Sequence, residues 1–123
     1  MGWVVSEPSI VGGLVQMDYN WDRGFALEQA SGDEDLLREL LTIFAGTVVV
    51  SRQKIEEALV MGDVSKVGQT AHSVKGAASS LGFAEIAELA NMIEARALDG
   101  DISQAPKFLA RLEILEETLP RLA

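Results

Sequence analysis

The strongest constraint on the fold is the helical spacing of apolar residues, which continues from about residue 20 to the end of the chain. No segment alternates apolar and polar residues at the period of two that a half-buried strand requires. Short turn signals, such as Gly62-Asp63 and Asp99-Gly100, separate the periodic segments. We therefore expect an all-α fold, an antiparallel up-down four-helix bundle with a short additional N-terminal helix.

Turn and capping residues divide the periodic part of the chain into five helices. The first is short, from residue 21 or 22 to about 30, and a long second helix begins near residue 33 and closes at Gly62-Asp63. The third covers about residues 64–81, the fourth ends at Asp99-Gly100, and the last begins between Ser103 and Pro106. Residues 1–19 have no sustained period, so we expect a tail or linker there and one folded domain over residues 20–123.

Composition limits the possible partners. Ten basic and nineteen acidic residues give a net charge of -9, whereas a nucleic-acid binder needs positive charge to neutralise phosphates. No apolar run reaches the roughly 20 residues that span a bilayer, and the amino terminus lacks a secretory signal. The absence of cysteine excludes disulfides and thiolate metal sites. We expect a cytoplasmic monomer with no cofactor, no metal and no nucleic-acid or membrane partner.

The single histidine, His72, belongs to the outer face of the third helix. At about 100° per residue, its side chain points about 140° away from the centre of the core stripe. That stripe consists of Val67, Ala71, Val74, Ala78 and Leu81. The residues that share the outer face are Ser65, Gly68, Gln69, Lys75, Gly76 and Ser79. Glycine within a helix costs about 0.5–1 kcal/mol, so this face predicts a bare strip that another protein's backbone can approach.

An exposed imidazole in this setting is suited to phosphoryl transfer. Imidazole is nucleophilic when neutral, and a large fraction of it is neutral at cellular pH. Lys75, one turn further along, can bring its ammonium group to a phosphoryl group on the ring, and such transfer depends mainly on positioning and charge stabilisation. No motif for binding ATP and magnesium is present, so donor and acceptor must be other proteins. An incidental surface histidine is the alternative, but it leaves the glycine-rich strip unexplained.

The residues around His72 also resemble those of a known family. The segment Ala71-His72-Ser73-Val74-Lys75-Gly76, followed by Leu81-Gly82-Phe83, is similar to the AHxxKG…LG signature of histidine-phosphotransfer (HPt) domains. The similarity continues outside this segment, at Asp33–Phe44, Gly62-Asp63 and Ile93-Glu94. It covers nearly the whole chain after the tail.

This resemblance implies a phosphorelay protein, an intermediate without kinase activity of its own. His72 would relay a phosphoryl group between the aspartates of response-regulator receiver domains, one of which can belong to a hybrid sensor histidine kinase. Lys75 would neutralise phosphoryl charge, and Gly76 would leave room for the receiver's active-site loop. The full set of expected docking residues is Gly68, Gln69, Gly76, Ser79, Gly82 and Phe83.

Two questions stay open at this point. Glu94 occupies a position where some family members have a glutamine near the histidine, and it would either orient the imidazole or be a solvated charge on a helix flank. A phosphoacceptor domain of a chemotaxis-type kinase has a similar motif, often with a second histidine pattern on the next helix, which residues 89–94 lack. A non-catalytic adaptor bundle is the other alternative, and the presence of His72, Lys75 and Gly76 argues against it.

Overall fold

A computed structural model describes residues 21–122, and the five expected helices are present in this part of the chain. They are α1 (Arg23–Gln29), α2 (Glu34–Met61), α3 (Val64–Ser80), α4 (Ala84–Leu98) and α5 (Ala105–Leu122). Residues 21–122 form no strand, and their β contact is one isolated bridge between Trp21 and Phe83. The all-α expectation is confirmed. The tail or linker expected over residues 1–19 lies outside the described residues.

Aspartate and glycine residues determine where α2 and α3 begin and end. Asp33 and Asp63 accept hydrogen bonds from backbone N–H groups in the first turns of α2 and α3, respectively, as N-cap side chains do. Gly62 ends α2 with a φ of 67°, a left-handed conformation that glycine adopts without steric cost. The turn expected at Gly62-Asp63 is therefore confirmed, and its short length makes α3 return along α2.

Apolar faces of the four long helices form a single core. α3 packs mainly against α4 and α2, whereas α5 packs mainly against α2 and less extensively against α4. The largest fully buried side chains include Phe44, Phe83, Phe108, Leu41, Ile55 and Ile86. The core stripe predicted for α3 is buried at every position, so the opposite face of that helix is directed outward.

The segment before α1 closes over the turn between α3 and α4. The ring of Trp21 stacks on Phe83 with 5.4 Å between ring centroids, and its Nε1 donates a hydrogen bond of 2.9 Å to the Leu81 carbonyl. Gly82 has a φ of 82°, and a Cβ atom there would lie 2.6 Å from the Asp22 carbonyl oxygen. This position therefore requires glycine, and the turn is enclosed by other parts of the chain.

None of the helices in residues 21–122 combines the length and the apolar character that crossing a bilayer requires.

Candidate functional site

His72 projects from the middle of α3 into solvent. Its side chain is 66% exposed, while the core stripe on the opposite side of the helix is buried. The orientation predicted from the helical period is therefore correct. An imidazole placed in this way is accessible to a reaction partner that approaches from outside.

Glu94 of α4 connects His72 to Lys75. Its Oε2 lies 2.8 Å from His72 Nδ1, and its Oε1 accepts a hydrogen bond of 2.8 Å from Lys75 Nζ. The side chains of Lys75 and Glu94 are only 31% and 26% exposed, so this pair is shielded in part from water. We refer to these three residues as the His72–Glu94–Lys75 network. Glu94 is not a solvated flank charge, and its contacts support the role of orienting the imidazole.

The charge of Glu94 fixes where the imidazole proton lies. The hydrogen bond from Lys75 lowers the pKa of Glu94 most strongly, and that from His72 lowers it further, against partial burial, which raises it. An ionised carboxylate only accepts hydrogen bonds, so in the 2.8 Å contact the proton belongs to Nδ1 of His72. The neutral ring then has its lone pair on Nε2, the nitrogen that does not contact Glu94.

Gly76 forms the open part of the surface around His72. A Cβ atom at Gly76 would meet no atom within 4 Å, and Ser79, almost one turn further along α3, is exposed. Gln69 is exposed on the other side of His72, where it donates a hydrogen bond of 3.3 Å to Ser65. These residues form the bare strip that the sequence predicts, and they leave the imidazole accessible.

Gly68 departs from that prediction. It is half-buried, and a Cβ atom there would lie 3.1 Å from the Cβ atom of Ala97 on α4. The absence of a side chain at Gly68 therefore permits the close approach of α3 and α4. Close approach also helps to bring Glu94, less than one turn before Ala97, within hydrogen-bonding distance of His72.

Gly82 and Phe83 are not available for docking. Both residues are buried, and Phe83 is fully enclosed between the rings of Trp21 and Phe44. The prediction that they contact a partner is therefore wrong. Their place in the motif reflects the structure of the α3–α4 turn, where glycine provides the left-handed backbone and phenylalanine fills the core.

Asn91 is a site residue that the sequence analysis did not identify. Its Oδ1 lies 3.4 Å from Lys75 Nζ, so it helps Glu94 to hold the ammonium group. The signal in the sequence is the spacing of Asn91 and Glu94, because residues three apart on a helix share a face.

The residues of this site are few and not arranged for a metal ion. Within residues 21–122, no group of three or more histidine, cysteine, aspartate or glutamate side chains is placed to hold one.

A groove between α3 and α4 adjoins His72. Its lining residues are Val64, Ser65, Gly68, Gln69, His72, Glu94, Ala97 and Leu98.

Comparison with known proteins concerns the family and the fold of the chain. The model of the Hpt domain family matches residues 39–122, more than half of the chain. Histidine-containing phosphotransfer protein B from Pseudomonas aeruginosa PAO1 has a similar structure, with 25% identity and a TM-score of 0.74 over 84% of this chain and 90% of that one. No curated protein matches the chain at a significant level.

A second solved structure is similar in fold. It is the HPT domain of a sensor hybrid histidine kinase from Shewanella, with a TM-score of 0.72 and 21% identity over 85% of this chain and 93% of that one. The family match covers α3 and α4, the two helices that carry the His72–Glu94–Lys75 network. The chain therefore belongs to the Hpt domain family, the histidine-phosphotransfer proteins of two-component phosphorelays.

Proposed function

We propose that His72 is the phosphoaccepting residue and that its Nε2 atom carries the phosphoryl group between the aspartates of receiver domains. The observation that carries this proposal is the exposed imidazole whose Nδ1 donates to Glu94, because this contact leaves the Nε2 lone pair free for attack. Imidazole activated and oriented by a carboxylate is a common arrangement for nucleophilic chemistry.

The transfer requires little from the protein beyond position and charge. The Nε2 lone pair attacks the phosphorus of an aspartyl phosphate, and the aspartate leaves as a carboxylate with the electron pair of the broken P–O bond. Return to another aspartate reverses these steps. Lys75 stands one turn from His72, and its ammonium can turn from Glu94 toward the phosphoryl oxygens, where positive charge stabilises the transferring group.

The receiver partner docks over Gly76 and Ser79, where α3 has no bulky side chain. A groove between α2 and α3 includes Ala77 and Ser80, which follow Gly76 and Ser79 in the sequence, and Ile43, whose side chain is exposed. An apolar centre with polar groups around it is the usual composition of a protein interface. One copy of the chain presents the whole surface, so we expect it to act as a monomer with receiver domains, including that of a hybrid sensor kinase.

The test is phosphate exchange with a phosphorylated receiver from the same cell. Wild type should gain acid-labile, base-stable phosphate, and His72→Gln should gain none while its helical content stays unchanged. His72 is 66% exposed, so the substitution should not disturb the core. A label that persists in His72→Gln would place the acceptor elsewhere. A wild-type chain that binds receivers but never takes up phosphate would be an adaptor.

A further inference from the structure

Glu94 contacts both groups that the proposed reaction uses. One of its oxygens accepts from His72 Nδ1 at 2.8 Å, and the other accepts from Lys75 Nζ at the same distance. The contact with Lys75 is additional to the one that orients the ring. The carboxylate is an anion close to the place where a second anion, the phosphoryl group, must arrive.

We propose that Glu94 is a positioning residue that shortens the lifetime of phosphorylated His72, because it keeps a proton on Nδ1 and competes with the phosphoryl group for Lys75. This inference rests on the proposed function of His72. It concerns the phosphorylated state and adds to the orienting role of Glu94 in the free protein.

The proton on Nδ1 determines how good a leaving group the imidazole ring is. When Nε2 captures the phosphoryl group, its lone pair forms the N–P bond and the ring becomes positively charged with its proton still on Nδ1. When the next aspartate attacks phosphorus, the N–P electron pair returns to Nε2 and the ring leaves as neutral imidazole. Without the Nδ1 proton it would leave as imidazolate, a far stronger base and a poorer leaving group. An adjacent carboxylate favours the charged, protonated ring.

The position of Lys75 also shortens the lifetime of the phosphohistidine. Its ammonium group is held by Glu94 and by Asn91, and the hydrogen bond to Glu94 is the shorter of the two, at 2.8 Å against 3.4 Å. Attraction to Glu94 holds the Lys75 ammonium group away from a phosphoryl group on Nε2, which is then less stabilised. A neutral amide in place of the carboxylate would let Lys75 stay with the phosphoryl group and stabilise it.

Among residues 21–122, the ion pairs that involve His72 or Lys75 are both with Glu94. Asn91, the other contact of Lys75, is neutral. Among the described residues that line the adjoining groove, the titratable ones are His72 and Glu94. The pH dependence of phosphohistidine loss therefore reports mainly on the network itself.

The experiment measures the lifetime of the phosphohistidine without any receiver. The whole chain is phosphorylated with phosphoramidate, the donor is removed, and the phosphorus NMR signal is followed between pH 6 and pH 10. Glu94→Gln is compared with wild type and with Glu88→Gln, which removes the same charge from an exposed site on α4. The hydrolysis rate should fall as rising pH removes the Nδ1 proton. A charged acceptor favours this proton more than an amide does, so the midpoint of the fall should lie about one pH unit higher in wild type than in Glu94→Gln.

At the pH where the wild-type hydrolysis rate has fallen by half, the phosphohistidine of Glu94→Gln should therefore live several-fold to about ten-fold longer than that of wild type. Glu88→Gln should follow the wild-type profile. Coincident profiles for wild type and Glu94→Gln would overturn the role of Glu94 and leave the proposed function standing, whereas failure of wild type to form phosphohistidine would reject the proposed function itself.

A measurement on wild type alone covers the case in which Glu94→Gln does not fold. Nitrogen NMR of the phosphorylated ring should show Nδ1 protonated at a higher pH than in free phosphohistidine. Loss of that proton at the same pH as in the free amino acid would contradict the proposal.

Discussion

Glu94 is the residue on which the charges of the site depend. It lies between the imidazole of His72 and the ammonium group of Lys75, and the hydrogen bond with Lys75 is the main cause that lowers its pKa. Glutamate in this place gives the site a negative charge that an amide would not supply. Since the carboxylate is held by donors from α3, it also links α3 and α4 at the surface.

The Lys75–Glu94 pair should make stability depend on pH in the acid range. Because the folded protein holds the pKa of Glu94 below its ordinary value, the pair stabilises the fold above the unfolded pKa, and this stabilisation is lost as pH falls through the lower, folded pKa. Lys75→Met should therefore lower the free energy of unfolding by about 0.5–1 kcal/mol at pH 7. The difference from wild type should shrink as pH falls through the lowered, folded pKa and Glu94 becomes protonated.

Urea unfolding at pH 7, 5 and 3 measures this difference. Lys54→Met is the matched control, since Lys54 is an exposed lysine of α2. A Lys75→Met deficit that is the same at all three pH values would show that packing of the lysine stem, and not its charge, stabilises the fold.

At the scale of helices, periodicity predicts which way a residue points but not what it meets. The phase of α3 gave the buried stripe and the exposure of His72 correctly, because both depend on one helix alone. Gly68 is less open than the phase of α3 predicts, because its environment depends on where Ala97 of α4 crosses α3. Phe83 is buried although its position suggests a docking residue, because nothing in the local pattern shows that Trp21 returns to cover the α3–α4 turn.

The two glycines of α3 should respond differently to alanine. Gly76→Ala should raise the free energy of unfolding by about 0.5–1 kcal/mol, because alanine favours helix and its Cβ atom meets no neighbour. Gly68→Ala should gain clearly less or lose stability, because its Cβ atom would lie 3.1 Å from that of Ala97. Urea unfolding measures both changes.

A double-mutant cycle identifies the cause of that difference. Ala97→Gly removes the opposing methyl group, so Gly68→Ala should be better tolerated in this background than in wild type. Equal gains for the two alanine substitutions, or an additive cycle, would show that α3 and α4 have room at Gly68 and that this glycine is open.

At the scale of the whole molecule, the reactive face and the supporting face are separate. α3 carries His72 outward and packs on α2 and α4, whereas α5 has its main contacts with α2. A partner that reaches His72 must therefore approach over α3 and its two neighbours. Side chains on the exposed face of α5 lie outside this approach.

Substitutions at Gly76 should separate docking from chemistry. Gly76→Gln adds a side chain where the receiver must come close, in a position where the bundle itself has open space. We expect thermal stability to stay the same or to rise modestly and phosphotransfer from a receiver to fall severely. Phosphorylation of His72 by phosphoramidate should fall much less, because a small molecule needs less clearance.

Ala110→Gln on the exposed side of α5 is the matched control, since it places the same side chain on a helix away from His72. It should leave both transfer assays at wild-type rates. The comparison requires a melting curve and both assays for each variant. If Gly76→Gln slows the receiver and phosphoramidate equally, the added side chain disturbs the imidazole itself. If it slows neither, the receiver approaches His72 by a route that does not cross Gly76, and the docking surface must lie toward the groove between α3 and α4.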